Sequence, residues 1–227
     1  MKPSGHPAWI VVAKSIERTT QIERRCEMKQ TMKPILMLAG LSIAMVASAM
    51  ELRPLMIGQP IPDVGLKTAE GKTFDLQAAA EEQPLVIIFY RGGWCPFCNA
   101  HLGQLQEAEP RLRDLGYRIV AISPDRPEEL GKSAEQHTLS YTLLSDSSMA
   151  AAKAFGIAFE VDAPMLEKLA SYNIDIEAAS GETHHLLPVP AVFIVGSDGI
   201  IDFSYANPDY KTRLAPEVLL AAAKAAL

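Results

Sequence analysis

Residues 85–98 have the sequence Leu-Val-Ile-Ile-Phe-Tyr-Arg-Gly-Gly-Trp-Cys-Pro-Phe-Cys, and the architecture can be inferred outward from them. The apolar run from Leu85 to Tyr90 predicts a strand buried on both faces, which Arg91-Gly92-Gly93 ends. Pro96 suits the first turn of a helix, because its missing N–H costs nothing there. Apolar residues at helical spacing predict that this helix runs to about Leu115, capped by Gly116. Cys95 and Cys98 are therefore expected at a helix N-terminus.

A cysteine pair in this position suits thiol redox chemistry. Unpaired N–H groups and the positive end of the helix dipole stabilise a thiolate. The three-residue spacing also allows a disulfide. One sulfur can then attack a disulfide or a peroxide, and the other can resolve the product. Arg91 could add a positive field, and Trp94 could shield one side of the sulfur.

The rest of the chain alternates between predicted strands and helices. Upstream, strands at 61–64 and 72–76 flank a turn at 69–71. Downstream we predict strands at 117–123 and 141–144, helices at 127–137 and 149–155, a hairpin of strands at 191–195 and 200–205, and a closing helix at 216–227. Residues 157–189 show no clear strand character and are interpreted as a long, functional or disordered connection. The order predicts an α/β fold, with a central mixed β-sheet flanked by helices on both faces.

The N-terminal residues 1–49 have the pattern of an address signal. Lys29 and Lys33 precede an apolar run at 35–46 and the cleavage-type sequence Ala47-Ser48-Ala49. The run is shorter than the ~20 residues that a membrane helix needs, although an N-terminal anchor or a buried helix stays an alternative. We expect export to the periplasm or another extracytoplasmic space, without stable membrane insertion after cleavage, or a cytoplasmic location if the segment is not processed.

The same pattern indicates a domain boundary and an alternative start. A signal peptide begins close to its basic residues, so Met28 or Met32 is a better start than Met1. The working domain is then 50–227, and Cys26 lies outside it.

Composition excludes several other functions. The net charge of −6 predicts no basic face for nucleic acid. Three cysteines are too few for a disulfide-stapled scaffold, and no second pair completes a structural zinc site. No glycine-rich nucleotide loop is present, so neither NAD nor flavin is implied, and we expect no cofactor and no metal.

The stretch Phe89-Tyr90-Arg91-Gly92-Gly93-Trp94-Cys95-Pro96-Phe97-Cys98-Asn99 resembles the active-site segment of the peroxiredoxin-like branch of the alkyl hydroperoxide reductase/thiol-specific antioxidant family. Its Trp-Cys-Pro-x-Cys core is also similar to thioredoxin. The stretches at 187–191 and 207–210 are similar to later parts of the same branch, so the resemblance covers about residues 55–226. It implies a thioredoxin-like fold, to which the strands predicted at 61–64 and 72–76 add an N-terminal β-hairpin extension. It also implies thiol-dependent reduction of peroxides or disulfides, with thioredoxin or a similar dithiol as the reductant.

The resemblance also implies roles for single residues. Cys98 matches the peroxidatic cysteine of peroxiredoxins, whereas Cys95 matches their preceding threonine and the attacking cysteine of thioredoxins. Either sulfur could attack first, and both orders end in a Cys95–Cys98 disulfide. Pro190 matches the cis-proline of thioredoxins, which predicts a cis peptide after Val189 beside the sulfurs.

The chain departs from both patterns in ways that affect the chemistry. Arg91 stands where peroxiredoxins have a proline, and no arginine precedes the strand at Ala191. Phe89 stands where thioredoxins have a buried aspartate, so the second thiol has no assigned proton acceptor.

Three function classes follow from these observations. The leading one is a thiol-dependent peroxidase acting on hydrogen peroxide or organic hydroperoxides, and a disulfide reductase without significant peroxidase activity is second. A copper carrier would use the two cysteines with His184 or His185, since soft thiolates suit Cu(I).

Five other polar side chains have a predicted place in or near the site. His101 could help proton transfer but is more typical of a solvated helix residue. His184 and His185 approach the site or form an exposed pair. Asp146 and Glu109 are interpreted as ordinary surface charges.

Overall fold

The computed structural model describes residues 51–137 and 139–227. Its strands are β1 (Gly65–Thr68), β2 (Thr73–Asp75), β3 (Leu85–Phe89), β4 (Arg118–Ser123), β5 (Thr142–Ser145), β6 (Ala158–Glu160), β7 (Leu186–Pro188), β8 (Ala191–Val195) and β9 (Ile201–Ala206). Its helices are α1 (Leu76–Glu82), α2 (Pro96–Asp114), α3 (Pro127–His137), α4 (Ala150–Ala154), α5 (Ala163–Ser171), α6 (Ile176–Ser180) and α7 (Pro216–Ala225).

Seven strands form one mixed sheet in the order β2-β1-β5-β4-β3-β8-β9. Strands β3, β4 and β5 are parallel to one another. Strand β8 pairs antiparallel with β3, β9 pairs antiparallel with β8, and β1 pairs antiparallel with β5. Strands β6 and β7 form a separate antiparallel pair. The predicted α/β, thioredoxin-like fold with a central mixed sheet is confirmed.

Two hydrophobic cores lie on opposite faces of this sheet, because alternate side chains of a strand point to opposite faces. Leu85, Ile87 and Phe89 of β3 enter one core, with buried residues of α1 and α4. Val86, Ile88 and Tyr90 enter the other, with buried residues of α2 and α7. Both cysteines belong to this second core, so the site is built into the packing of α2 against the sheet.

The N-terminal hairpin is present, but its strands lie at other positions than predicted. The first strand is Gly65–Thr68 rather than 61–64, because the segment before it follows the β8–β9 turn. Ile61 N–H donates to Gly199 O at 2.9 Å, and Pro60 bridges to Ile200. The second strand ends at Asp75, whose carboxylate caps α1, a helix that the periodicity did not predict.

The interpretation of residues 157–189 as a long connection without clear strand character is wrong, and so is the alternative that they are disordered. The segment holds β6, α5, α6 and β7, tied together by backbone bonds such as Val161 N–H to His185 O at 2.8 Å. The strands have three residues each, which is too short for a period to be recognised. The helices did carry signals, since Asp162 and Asp175 are their N-caps.

The described residues belong to one compact unit. No helix among them is both long and apolar enough to cross a bilayer. The predicted signal peptide and Cys26 fall outside the described residues.

Candidate active site

The loop between β3 and α2 holds the cysteines in place through two glycines. Gly92 has φ +143°, and a Cβ there would lie 2.3 Å from Trp94 Nε1 and 2.8 Å from Asp125 Oδ1. Gly93 N–H donates to Asp125 Oδ2 at 2.7 Å, which fixes the loop to the end of β4. The loop therefore has room for glycine alone at position 92.

Cys95 is the N-cap residue of α2, and Pro96 occupies the first turn as predicted. The carbonyl of Cys95 accepts hydrogen bonds from the N–H groups of Cys98 and Asn99, both at 3.0 Å. The two cysteines are free thiols, and each is only 1% exposed. The pair thus lies at the N-terminal end of a 19-residue helix, under a cover of surrounding side chains.

The two sulfurs differ in their acid–base properties. A hydrogen bond from the Cys98 thiol is the largest cause that lowers the pKa of Cys95 to about 6, against the opposing effect of burial. The backbone at Cys98 and the charges of Arg91 and Arg213 lower it further. Burial raises the pKa of Cys98 well above its usual value, and the adjacent Cys95 sulfur raises it further. Cys95 therefore carries the negative charge at neutral pH, and Cys98 keeps the proton.

Arg91 lies beside the pair, as the sequence predicted. Its side chain is buried, and the guanidinium lies 4.3 Å from the ring centroid of Tyr210 and 5.3 Å from that of Trp94. Such cation–π contacts hold a cation without neutralising it. Arg91 is thus a fixed positive charge on the side of Cys95.

A cleft of about 610 Å³ opens next to the pair, and Cys95 lines it whereas Cys98 does not. Its walls include the aromatic rings of Trp94, Phe97, Tyr172 and Tyr210, with Lys168 contributing a cation. Tyr172 and Lys168 come from the 157–189 segment, so part of this wall was not expected from the sequence. Cys95 is therefore the cysteine of the pair that borders this cleft.

Two polar residues that the sequence analysis did not single out also reach the site. Arg213 Nη2 donates to Cys98 Sγ at 3.3 Å, across 115 positions of sequence. Asp125 is buried and accepts from Ser123 Oγ at 3.0 Å, and burial raises the pKa of its carboxyl to about 6. Residues 207–210, which carry part of the family resemblance, are close to Arg213 in the sequence. No local pattern, however, predicted a place in the site for Arg213 or Asp125.

Comparisons with known proteins identify the family of this chain. The model of the AhpC/TSA family matches residues 57–204. The chain belongs to the AhpC/TSA family. It is 29% identical over 106 residues to peroxiredoxin Bcp of Escherichia coli K12, covering 47% of this chain and 67% of that protein. It is 30% identical over 100 residues to chloroplastic peroxiredoxin Q of Populus jackii, covering 44% of this chain and 46% of that protein.

Solved structures of the same kind share the fold. Peroxidoxin BcpB from Mycobacterium tuberculosis superposes with a TM-score of 0.60 at 19% identity, over 75% of this chain and 97% of that one. A peroxiredoxin Q structure from Xanthomonas campestris gives 0.57 at 21% identity, over 75% and 96%. The AhpC/TSA assignment and the thioredoxin-like architecture therefore agree.

Pro190 departs from the thioredoxin pattern despite the family likeness. The peptide between Val189 and Pro190 is trans, and none of the described peptide bonds is cis. The predicted cis peptide beside the sulfurs is therefore wrong. Pro190 is buried instead at the start of β8, where its carbonyl accepts from Asn207 N–H at 3.1 Å and ties down the segment that carries Arg213.

His101 is not the solvated residue that was expected. It is buried, and its Nε2 lies 3.2 Å from Leu214 O. Burial, and then the charge of Arg213, lowers the pKa of His101 to about 4, so the ring is neutral at neutral pH. It supports the segment beside Arg213 and adds no charge to the site.

The two acidic residues taken for surface charges are also better connected than expected. Asp146 is buried and accepts from the N–H groups of Ala151 and Ala152, so it anchors the start of α4. Burial raises the pKa of its carboxyl to about 6. Glu109 is partly buried and accepts from Ser140 Oγ at 3.0 Å.

The histidine pair is engaged away from the cysteines. His184 Nε2 lies 2.7 Å from Ser147 O, and its Nδ1 accepts from Leu186 N–H at 2.9 Å. His185 pairs with Glu177 at 2.5 Å. Across 51–137 and 139–227, no three histidine, cysteine or acidic side chains form a group that could hold a metal ion.

Proposed function

We propose that Cys95 and Cys98 are the redox couple of a thiol-dependent peroxidase, in which Cys95 attacks the peroxide and Cys98 resolves the product. The peroxiredoxin relatives identify the class of the enzyme, a thiol-dependent peroxidase and hence an oxidoreductase. The use of this cysteine pair, the order of attack and the reductant are our proposal.

The charge on Cys95 is the observation that carries the order of attack. The thiolate is the nucleophile of a cysteine, and Cys95 has a pKa of about 6 whereas that of Cys98 is raised. Cys95 is also the cysteine of the pair that lines the cleft. Family position alone would favour Cys98, but the pKa of that thiol is raised and Cys98 does not line the cleft.

The reaction balances with these groups. The Cys95 thiolate attacks the terminal oxygen of the peroxide, the O–O bond breaks, and the alcohol or water leaves after taking a proton. Cys95 is then a sulfenic acid. Cys98 condenses with it to form the disulfide, and its proton leaves with the sulfenic oxygen as water. Two electrons from an external dithiol, of the thioredoxin type, restore both thiols.

Single-turnover experiments on the full chain test the order. Reduced wild type, Cys95→Ser and Cys98→Ser are mixed with hydrogen peroxide or an organic hydroperoxide, and peroxide loss is followed. We expect Cys95→Ser to consume none, and Cys98→Ser to consume one equivalent and stop at the sulfenic acid. Consumption by Cys95→Ser and none by Cys98→Ser would reverse the roles.

A disulfide reductase is the second candidate. The lowered pKa of Cys95, next to the protonated thiol of Cys98, suits attack on a disulfide as well as on a peroxide. Insulin reduction, compared with peroxide turnover under thioredoxin and its reductase, separates the two. Insulin reduction without peroxide turnover would favour the reductase. The copper carrier gains no support, because both ring nitrogens of His184 already have partners.

We also propose that residues 1–49 direct export and are removed. The support is the sequence pattern described above. N-terminal sequencing of exported protein should find a start at Met50, and a start at Met1 would contradict export by this signal.

A further inference from the structure

The cleft beside Cys95 has a charge opposite to that of the chain around it. Residues 50–227 contain 14 lysines and arginines against 24 aspartates and glutamates. The described residues that line the cleft nevertheless include three cations, Arg91, Lys168 and Lys211, and no acidic side chain. A concave site that an acidic protein lines with cations alone is suited to an anionic ligand.

The two lysines are available to such a ligand. Lys168 is exposed on α5 and Lys211 is exposed between β9 and α7, so two separate elements bring ammonium groups to the cleft. Neither forms an ion pair with an acidic side chain of the described residues. The nearby carboxylate of Asp209 accepts from Lys211 N–H at 3.1 Å and from Thr212 Oγ1 at 3.0 Å, and it does not line the cleft.

Aromatic side chains form much of the remaining lining. Phe97 and Tyr172 are 42% and 65% exposed, and the ring of Tyr210 lies edge-on to Phe97 with centroids 5.7 Å apart. Such rings can pack against the carbon skeleton of a ligand. The volume of about 610 Å³ lies in the usual range of sites for small organic molecules. The ligand that fits is therefore a small organic anion.

The redox state of Cys95 indicates the step at which this anion binds. In the reduced pair the Cys95 thiolate is itself a negative charge near Arg91, whose guanidinium lowers the pKa of Cys95. In the disulfide that negative charge is absent, and the cations of the cleft have no anion among them. An anionic ligand is therefore bound more strongly by the oxidised pair, which is the form that needs a reductant.

We propose that the cleft binds a low-molecular-weight thiol that carries a carboxylate, and that this thiol reduces the Cys95–Cys98 disulfide as a second reductant besides the external dithiol. Lys168 and Lys211 bind the carboxylate and determine the preference for an anion. The proposal rests on the proposed function, since it needs the disulfide of that pair.

The reduction balances with two molecules of the thiol. The thiolate of the first attacks Cys95 Sγ, the S–S bond breaks, and Cys98 leaves and takes up the proton that this thiol has lost. The thiolate of the second attacks the ligand sulfur of the mixed disulfide, so Cys95 leaves as a thiolate and the second proton goes to solvent. The two ligand molecules are thereby oxidised to their own disulfide, and the protein pair is reduced.

Three thiols that differ in charge test the proposal on the full chain. They are 3-mercaptopropionate, 2-mercaptoethanol and cysteamine, which are anionic, neutral and cationic. The Cys95–Cys98 disulfide is formed with diamide, so that no peroxide is needed, and its reduction by each thiol is followed by alkylation and mass spectrometry. Lys168→Gln, Lys211→Gln and the double variant are compared with wild type. Lys153→Gln, which changes an exposed lysine of α4 outside the cleft lining, is the matched control.

We expect each single substitution to slow reduction by 3-mercaptopropionate about threefold, because an exposed charge contributes a modest attraction. The double variant should be slower by about tenfold, since independent effects add as free energies. Reduction by 2-mercaptoethanol should stay unchanged, and reduction by cysteamine should become faster. Each variant is compared with wild type for the same thiol, so differences in the reactivity of the thiols cancel.

Three results would overturn the proposal. One is an unchanged rate with 3-mercaptopropionate in the double variant. Another is equal slowing with all three thiols, which a structural defect would produce. The third comes from reduced protein mixed with linoleic acid hydroperoxide or its methyl ester: a preference for the acid that the double variant loses, with thiol rates unchanged, would make the anion a peroxide substrate instead.

Failure of the proposed function is a separate result. Cys95→Ser would then still consume peroxide, whereas diamide forms the disulfide for the thiol test without any peroxidase activity.

Discussion

At the scale of single residues, the main feature is that one proton is unequally shared by two sulfurs. The Cys98 thiol stabilises the Cys95 thiolate, and burial keeps Cys98 protonated. Neither effect alone would separate the two sulfurs so clearly, because both lie in the same buried region. The hydrogen bond from Cys98 therefore favours the thiolate form of Cys95.

Removing that hydrogen bond should raise the pKa of Cys95. In wild type, alkylation of Cys95 by iodoacetamide should rise with pH around a midpoint near 6. Cys98→Ala loses the donor and should shift the midpoint upward. Cys98→Ser keeps a hydroxyl donor and should shift it less. Alkylation of the Cys95 peptide, followed by mass spectrometry from pH 5 to 9, measures this, and an unchanged midpoint in Cys98→Ala would contradict it.

The buried carboxyl of Asp125 should make stability depend on pH. Its folded-state pKa is raised from an ordinary value of 3.8 to about 6, so its stabilising effect is complete below pH 3.8 and is lost as pH rises through 6. The rise corresponds to at most about 3 kcal/mol. Asp125→Asn still accepts from Gly93 N–H but cannot ionise.

The expected result is a stability difference that grows with pH. Relative to wild type, Asp125→Asn should be more stable at pH 7.5 than at pH 4. Urea unfolding at the two pH values measures the difference, and taking the variant minus wild type cancels the other titrating groups. A difference that does not change between them would show that Asp125 is not the source.

At the scale of elements, the end of α4 holds the segment at 53–55 in place. Arg53 N–H donates to Gly156 O at 2.9 Å, and Leu55 N–H donates to Phe155 O at 3.1 Å. Gly156 has φ +70°, and a Cβ there would lie 1.9 Å from Arg53 O. The turn after α4 and the segment at 53–55 therefore fit together only with glycine at this position.

Two glycine substitutions should have opposite effects on stability. Gly156→Ala should destabilise the protein by several kcal/mol, because both the backbone conformation and the space are unsuitable. Gly103→Ala, inside α2 with nothing within 4 Å of the new Cβ, should stabilise it by about 1 kcal/mol. Thermal unfolding of the two variants beside wild type measures both, and a neutral Gly156→Ala would show that the 53–55 segment moves away without cost.

At the scale of the whole molecule, the site is assembled from parts that are distant in the chain. The β3–α2 loop supplies the cysteines, α5 supplies one wall of the cleft, and the segment between β9 and α7 supplies Arg213. The sheet brings them together, since β3, β4 and β8 are neighbours in it. The second sulfur is thereby buried within the fold, next to the first.

This arrangement predicts that oxidation stays within one chain. One equivalent of peroxide should form the Cys95–Cys98 disulfide in the full chain, with no covalent dimer on a non-reducing gel. The reason is that the neighbouring sulfur is always present at a high effective concentration. Cys26→Ser should behave like wild type, and a dimer that this substitution abolishes would contradict the prediction.

The sequence predicted the parts of the molecule that depend on local rules. The strand before the cysteines, the helix that begins at Pro96 and the reactive spacing all follow from patterns of a few residues, as does the helix end, where Gly116 has φ +90°. The short strands β6 and β7 could not be predicted in this way, because three residues are too few to show the alternation of a strand. The cis peptide predicted at Pro190 rested only on its position relative to the thioredoxin pattern, and the peptide is trans.

The sequence by itself determined that the chain carries a cysteine pair at the start of a helix after a buried strand, because those features are local in the chain. Only the tertiary structure decided which thiol has the lower pKa, that Arg213 contacts Cys98, and that His101 and Asp146 are buried. The burial of these side chains, and the contact between Arg213 and Cys98 across 115 positions, depend on how the helices and the segment between β9 and α7 pack against the sheet. No local pattern records that packing, so the acid–base difference within the pair appears only in the folded chain.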